Sequence, residues 1–494
     1  MKRTDAVIRA TGAVALLGAM VAAPVPAGAQ QGTQQGAAFD RGKPPALGRP
    51  PRLTVPPVHT SSLPNGIAVS VVEQRELPLV HVIASFAGGS RLDRDRPGTA
   101  AFTAAMLREG AGGRDASALQ SELAYLGASL NTQADWDRVA VSLKVPLRSL
   151  GPALDLMADV IQRPTFAAAE VRRQRDLRLT TILQRRDEPD ALAELAFHHV
   201  VFPAGHPYHR SPFGDSATTA ATDSAALRAF YARAVRPENA RFVVVGDVSD
   251  ADARAELSRR FATWRAAGPA AAVPAASVPA RHEARTRVYL VDKPAAAQSV
   301  IVIGWPGVER RSADYAPLMV MNTLLGGSFT SRLNMNLRET KGYSYGARSD
   351  FDFYRLPGPF SASASVRTDV TDSSLVEFFR ELRQLRDSVV PDEELERAKS
   401  YVELGLPGSL ESTTQVAATI TRLATFGLPL TELVTFADKV RTVTATDVQR
   451  VARKYLTPEQ ASVVVVGDLA AIRAGVEALK LGEVSVIPVA EIAR

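Results

Sequence analysis

The chain has 494 residues, 46% apolar and 22% charged, with a formal net charge of +6 at pH 7 and no cysteine. That length exceeds what one ordinary hydrophobic core organises, so two or more domains are expected. The missing cysteines exclude disulfide staples and thiol catalysis, and so modest a charge, without an aromatic-basic ladder, leaves no nucleic-acid footprint.

Lys2, Arg3 and Arg9 precede an Ala/Leu/Val/Met run over residues 13–23, and Ala27-Gly28-Ala29 stands before Gln30. This is the pattern of an export signal, residues 1–29, removed after Ala29; the run is too short and alanine-rich for a stable membrane span. The expected destination is outside the cytoplasm, in the bacterial periplasm. Residues 30–57, rich in Gln, Gly and Pro, read as a flexible leader with too little to bury.

Ordered structure is expected from Leu63, where Pro64-Asn65-Gly66 makes a turn flanked by strand material. A strand over residues 80–86 ends in a bend at Gly88-Gly89. The pattern then predicts helices over residues 99–107, 116–126 and 150–161, with a strand over 139–145. Residues 168–186 read as a charged helix with Val171, Leu177, Leu179, Ile182 and Leu183 on its apolar side and an Arg-rich face toward solvent or a subunit. His198, His199, His206 and His209 fall in a short span with Glu194 one turn before His198, so a displaced metal site is conceivable. Loop packing is the better reading, because His198 and His199 point to different sides of a helix.

An Ala/Pro-rich segment, taken as residues 265–284, is the best linker. It separates an expected first unit, 58–264, from a second, 285–484. An internal repeat supports the division: YARAVRPENARFVVVGDVS from Tyr231 returns as ARKYLTPEQASVVVVGDLA from Ala452, each a helix, a Pro-Glu turn and a strand ending in Gly-Asp. The densest chemistry lies in residues 322–345. Leu324, Leu325, Phe329, Leu333 and Leu337 recur at near-helical spacing, interrupted at Gly326-Gly327. A stop near Gly342 would project Tyr343 and Tyr345 from one face of a following strand, with Arg338 able to meet one of them or to pair with Glu339.

Together, LPNG at 63–66, GGSRLD at 88–93, FPAGHPYHR at 202–210, the repeated VVGD and LGGSFTSRLNMNLRETKGYSYG at 325–346 resemble the M16 metallopeptidases, the pitrilysin, insulinase and mitochondrial processing peptidase group. The resemblance covers nearly all of the chain beyond the leader. It implies an α+β fold of two homologous units, each a largely antiparallel sheet packed against helices, forming half of a peptide-holding chamber. The family's His-x-x-Glu-His motif would fall within GTAAFTAAM, residues 98–106, with its three functional positions at Ala101, Ala104 and Ala105. The third ligand, a glutamate, would fall near Thr181. Alanine offers neither a metal ligand nor a base, so no metal or other cofactor is expected in this chain. The family's substrate-holding Arg and Tyr match Arg338 and Tyr345, which the resemblance assigns to the substrate backbone and the developing oxyanion. These features imply a non-catalytic, substrate-binding subunit. Its expected partner is a catalytic M16 chain that carries His-x-x-Glu-His and zinc and acts on peptides. The alternative is a peptide-binding scaffold without protease activity.

Overall fold

The computed structural model describes residues 55–266, 268, 273, 278–280 and 282–492. The expected signal peptide, most of the leader and parts of the linker lie outside the described residues. Among the described residues, fourteen strands occur in chain order. The first eight are β1 His59–Ser62, β2 Ala68–Glu73, β3 Leu79–Ala87, β4 Gly110–Ala111, β5 Arg114–Asp115, β6 Ser129–Ala134, β7 Arg138–Pro146 and β8 Ala240–Gly246. The others are β9 Arg287–Asp292, β10 Gln298–Pro306, β11 Ser344–Phe351, β12 Pro359–Arg367, β13 Ser462–Gly467 and β14 Glu483–Val486. Apart from the small β4–β5 ribbon they form two six-stranded sheets, β1-β2-β8-β3-β7-β6 and β11-β12-β10-β13-β9-β14. Both belong to one compact unit.

The architecture is the expected α+β pair of units, and the sheets are mixed. β2 runs parallel to β8, and β9 runs parallel to both β13 and β14, while the remaining neighbours are antiparallel. The repeated sequence accounts for the strand apolar on both faces in each sheet. On β8, Phe242 and Val244 enter one core while Val243 and Val245 enter another. On β13, Val463 and Val465 face one core and Val464 and Val466 the opposite one. A strand buried on both sides reads as an unbroken apolar run, because successive side chains point to opposite faces.

Each sheet therefore has two faces to cover. The first sheet packs one face on helices from its own stretch of chain, through Phe102, Leu154, Phe230 and Leu257. Its other face receives Val416, Ala417 and Ile420 of the helix Thr413–Phe426, which lies far along the chain. Reciprocally, the second sheet buries one face under Leu318, Phe378, Val451 and Ile472. Its other face lies under Leu192, Ala193, Ala196 and Phe197 of the helix Pro189–Val201. The two stretches exchange one helix each.

The helix Thr99–Met106 carries Ala101, Ala104 and Ala105, where the motif was expected, and is short for independent stability. Its N-terminal end is fixed by Asp93, whose carboxylate accepts from the backbone N–H of Gly98 at 2.9 Å and of Ala100 at 2.7 Å. Gly98 has φ 85°, and a Cβ there would lie 2.6 Å from Gly214 Cα, so glycine is required both by conformation and by close approach. Burial pushes the Asp93 carboxyl up to about 8, against the opposing pull of those two N–H groups.

Two predictions follow from this packing. Removing the Ile420 side chain beyond Cβ should cost about 2–5 kcal/mol and leave one cooperative transition, measured by denaturant unfolding of Ile420→Ala; separate unfolding of two parts would show that the exchanged helices do not couple them. For Asp93 the folded value lies above the ordinary 3.8, so the stability linked to its proton is complete below about 4 and is lost as pH rises through about 8. The Asp93→Asn variant should lack that slope, which is at most about 1.4 kcal/mol per pH unit, when both proteins are unfolded from pH 5 to 8. Parallel profiles would mean that the carboxyl is already ionised throughout.

Candidate functional site

The stretch that carries the Arg/Tyr pair is an interrupted helix. The helix Tyr315–Asn322 continues into a π turn at Thr323–Gly327; a short turn at Arg332–Asn334 leads into a second π turn at Met335–Thr340, and then into β11. π turns insert an extra residue and are frequent at functional sites. Gly326 permits the first turn to press on β11, since a Cβ there would lie 2.2 Å from the Ser349 nitrogen. Two asparagines then bond the β11 backbone. Asn322 Nδ2 donates to the Ser349 carbonyl at 2.9 Å, and Asn334 Oδ1 accepts from the Ala347 N–H at 3.2 Å.

The expected pairing of Tyr343 and Tyr345 on one strand face does not occur. The Tyr343 N–H still bonds back to the Leu337 carbonyl at 2.8 Å, and the ring packs against the second core. β11 begins one residue later, and its register shifts between Ser344 and Ala347. Tyr345 is left 87% exposed. Phe329, read as part of the helix's apolar side, is 57% exposed.

Arg338 brings these two rings together. Its guanidinium carbon lies 4.8 Å from the Tyr345 ring centroid and 4.7 Å from that of Phe329, while Nε sits 3.1 Å from Glu339 Oε1. Both alternatives open in the sequence are thus present together. Phe329 and Tyr345 border a groove of about 550 Å³. Gly326, Gly327, Ser328, Ser363 and Ser365 keep its walls shallow and polar, and Asp190 from the helix Pro189–Val201 closes one side. Small side chains let another backbone approach, and hydroxyls supply hydrogen bonds to it. Among the described residues neither the terminal guanidinium nitrogens of Arg338 nor the Tyr345 hydroxyl has a hydrogen-bond partner.

The motif positions sit on the helix Thr99–Met106, where Ala104 is buried and Ala101 and Ala105 are half-buried. Thr181 lies exposed on the helix Ala168–Asp187, its hydroxyl donating to the Leu177 carbonyl at 3.0 Å. The residues present do not fit a zinc ion: three methyl groups and one hydroxyl with a backbone partner are no ligand set. A cation stands close by instead. Arg178 is buried, donates to the Phe213 carbonyl at 2.6 Å, and lies 4.2 Å from the Phe213 ring and 5.1 Å from the Phe102 ring. Burial lowers its guanidinium to about 10, against the pull of Asp93, so it stays charged at neutral pH. The expected apolar side of this helix is corrected accordingly. Val171, Arg178 and Ile182 are its buried residues, and Leu177 and Leu183 are exposed. Nothing in the local pattern marks one arginine among many as the buried one; its partners, Asp93, Phe102 and Phe213, are remote in sequence.

The histidine cluster packs a loop. His198 Nδ1 is 2.9 Å from the Tyr208 carbonyl oxygen, with its ring stacked on Trp136 and Phe202. His206 Nδ1 accepts from the Tyr208 N–H at 3.1 Å, and His209 Nδ1 is 2.7 Å from the Phe202 carbonyl oxygen. Among the described residues, no three His, Cys, Asp or Glu side chains converge as metal ligands.

Residues 71–207 match the family described as insulinase (peptidase family M16), and residues 223–402 match the one described as the peptidase M16 inactive domain. The second description covers the part of the chain that was never expected to hold the zinc motif, so the alanines at 101, 104 and 105 bear more directly on catalysis. A mitochondrial-processing peptidase subunit beta from Lentinula edodes is 27% identical over 431 residues, 83% of this chain and 90% of that protein. An uncharacterized zinc protease from Mycobacterium tuberculosis is 30% identical over 329 residues, 65% of this chain and 71% of its own length. Among solved structures, the peptidase M16 inactive domain from Pseudomonas fluorescens superposes with a TM-score of 0.77 at 29% identity, covering 83% of this chain and 98% of that one. A protease from Helicobacter pylori shares the fold, with a TM-score of 0.78 at 20% identity over 84% of this chain and 100% of its own. Sequence matches on both sheets and a fold shared across nearly the whole length of these structures lead to one assignment: the chain belongs to the M16 peptidase family.

Proposed function

We propose that this chain is the non-catalytic, substrate-binding subunit of a heterodimeric zinc-dependent M16 peptidase, built from units 58–264 and 285–484 and exported to the bacterial periplasm. The zinc and the His-x-x-Glu-His motif belong to a partner subunit. This chain contributes Arg338 and Tyr345 across the chamber to an extended peptide. The observation that carries the reading is the contrast between two sites in one chain. Ala101, Ala104, Ala105 and Thr181 cannot bind a metal, whereas Tyr345 borders a groove and Arg338 packs against its ring, both with hydrogen-bonding groups unspent. A guanidinium fork suits peptide carbonyl oxygens, and a phenol can donate to charge that grows on the scissile carbonyl. Kinship with a protein named as one subunit of a peptidase adds support for a multi-chain assembly.

The test is to purify the chain alone and together with an M16 chain from the same genome that carries the intact motif. Zinc content and cleavage of a fluorogenic peptide are then measured for both. The isolated chain should hold no stoichiometric zinc and cleave nothing, while the complex should do both. In the complex, Tyr345→Phe should lower kcat by roughly a hundredfold, the scale of losing one oxyanion donor, with zinc retained. Arg338→Ala should reduce kcat/KM at least tenfold. Normal turnover in both variants would remove the role given to the pair, and zinc-dependent cleavage by the isolated chain would overturn the whole assignment. Failure to find any zinc-bearing partner would favour a peptide-holding scaffold.

A further inference from the structure

The π turn that presents Arg338 is held from behind by a buried polar cluster. Asn336 is 6% exposed, and on the helix Thr371–Asp387 Glu377 and Glu381 are 8% and 6% exposed. The single Nδ2 of Asn336 donates to both carboxylates, at 2.9 Å to Glu377 Oε2 and 2.8 Å to Glu381 Oε1. Lys341 Nζ reaches the other oxygen of Glu377 at 3.1 Å. Arg380 completes the cluster, 2.8 Å from Glu377 and 3.1 Å from Glu381. Two carboxylates face two cations, so the charge is closed and no further cation is called for.

Asn336 and Lys341 bracket Arg338 in sequence, and their side chains converge on the same carboxylate. Their backbones also close the turn, the Lys341 N–H donating to the Asn336 carbonyl at 2.9 Å across five residues. An α-helical end would make that bond across four residues and deliver Tyr343 and β11 in a different direction. Asn336 cannot be rotated to rescue a misplaced turn, because exchanging its nitrogen and oxygen would aim Oδ1 at two carboxylates. Oδ1 itself has no partner, a cost accepted in keeping Nδ2 between the two glutamates. Burial opposes the charge on Glu377, yet donors from Asn336 and Lys341 outweigh it and hold the carboxyl below its ordinary range.

We infer that Glu377, acting through Asn336 and Lys341, is a positioning residue that clamps the π turn and thereby sets Arg338 and Tyr345 for substrate. This rests on the role assigned to that pair above. Glu377 touches neither residue of the pair; it fixes the turn on which Arg338 stands and from which Tyr345 departs.

The experiment is a double-mutant cycle in the complex with the zinc-bearing partner, with hydrogen exchange of residues 335–345 as a second readout. Glu377→Ala and Asn336→Ala should each lower kcat/KM about tenfold with zinc content unchanged. Glu377→Gln still accepts from Asn336 but turns an amide NH2 toward Lys341, so it should recover only the part of that loss that runs through Asn336. Adding Glu377→Ala to the Arg338→Ala/Tyr345→Phe double variant should cost less than twofold more, since the clamp acts through that pair. Exchange at the Lys341 and Tyr343 amides should rise at least tenfold in Glu377→Ala and by less in Glu377→Gln. Fully multiplicative losses with the Arg338→Ala/Tyr345→Phe double variant, or unchanged exchange in Glu377→Ala, would overturn the clamp. If Arg338→Ala and Tyr345→Phe both leave turnover normal, the assignment of the pair fails. The exchange result then decides the clamp separately. Should Glu377→Ala not fold, Asn336→Ala carries the same cycle.

Discussion

A sheet with apolar side chains on both faces must be covered twice, and in this chain neither sheet is covered by its own stretch alone. Val243, Val245 and Ile83 would meet water without the helix Thr413–Phe426, as would Val302, Val464 and Val466 without the helix Pro189–Val201. Burying each such side chain is worth about 1.5–3 kcal/mol, so each exchanged helix contributes on the scale of a whole domain's net stability. The exchange also shapes the groove. Asp190, at the start of the helix borrowed by the second sheet, accepts from the Ser365 hydroxyl at 3.3 Å and forms part of the groove wall. The groove of the second sheet is therefore completed by the first stretch of chain, while Ser363 of β12 and Arg348 of β11 also line it.

The helix that carries Ala101, Ala104 and Ala105 shows how a short helix is held without a metal. Alanine has the most favourable helix propensity, so the replacements at 101, 104 and 105 do not weaken the helix locally. Thr99–Met106 is nonetheless too short to stand alone, and Asp93 at its N-terminal end and Phe102 against Arg178 supply tertiary support. A buried guanidinium beside the helix raises the electrostatic cost of a dication there. The lack of ligand side chains at 101, 104 and 105 and the nearby cation act in the same direction.

Much of this was legible in the sequence where a single periodicity governs. The helix ending at Ala234, the Pro-Glu turns and the valine strands ending in Gly-Asp stand where the repeat places them. The exchange of helices was not legible: an amphipathic helix records which of its faces is buried and nothing about which sheet buries it. Arg178 was missed for a related reason, since its burial depends on Asp93 and two aromatic rings supplied by other segments. The π turns and the shifted register at Ser344 escaped because one inserted residue changes direction without changing composition, and this separated Tyr343 from Tyr345.

The contacts that hold Arg338 are of a strength suited to a group that must exchange partners. Its ion pair with Glu339 joins side chains 30% and 43% exposed, and such pairs contribute about 0–1 kcal/mol. Each aromatic contact at an exposed site adds roughly 0.5–1 kcal/mol. Rings attract the guanidinium through their faces, whereas hydrogen bonds leave it in its own plane through N–H groups. Phe329 and Tyr345 can therefore restrain the group without consuming the donors that a peptide carbonyl would take. Strong restraint lies behind the turn, at Glu377 and Glu381, and weak restraint in front, at the rings and Glu339. In the proposed role of Arg338, that order fixes the backbone while leaving the guanidinium free to exchange an exposed carboxylate for substrate.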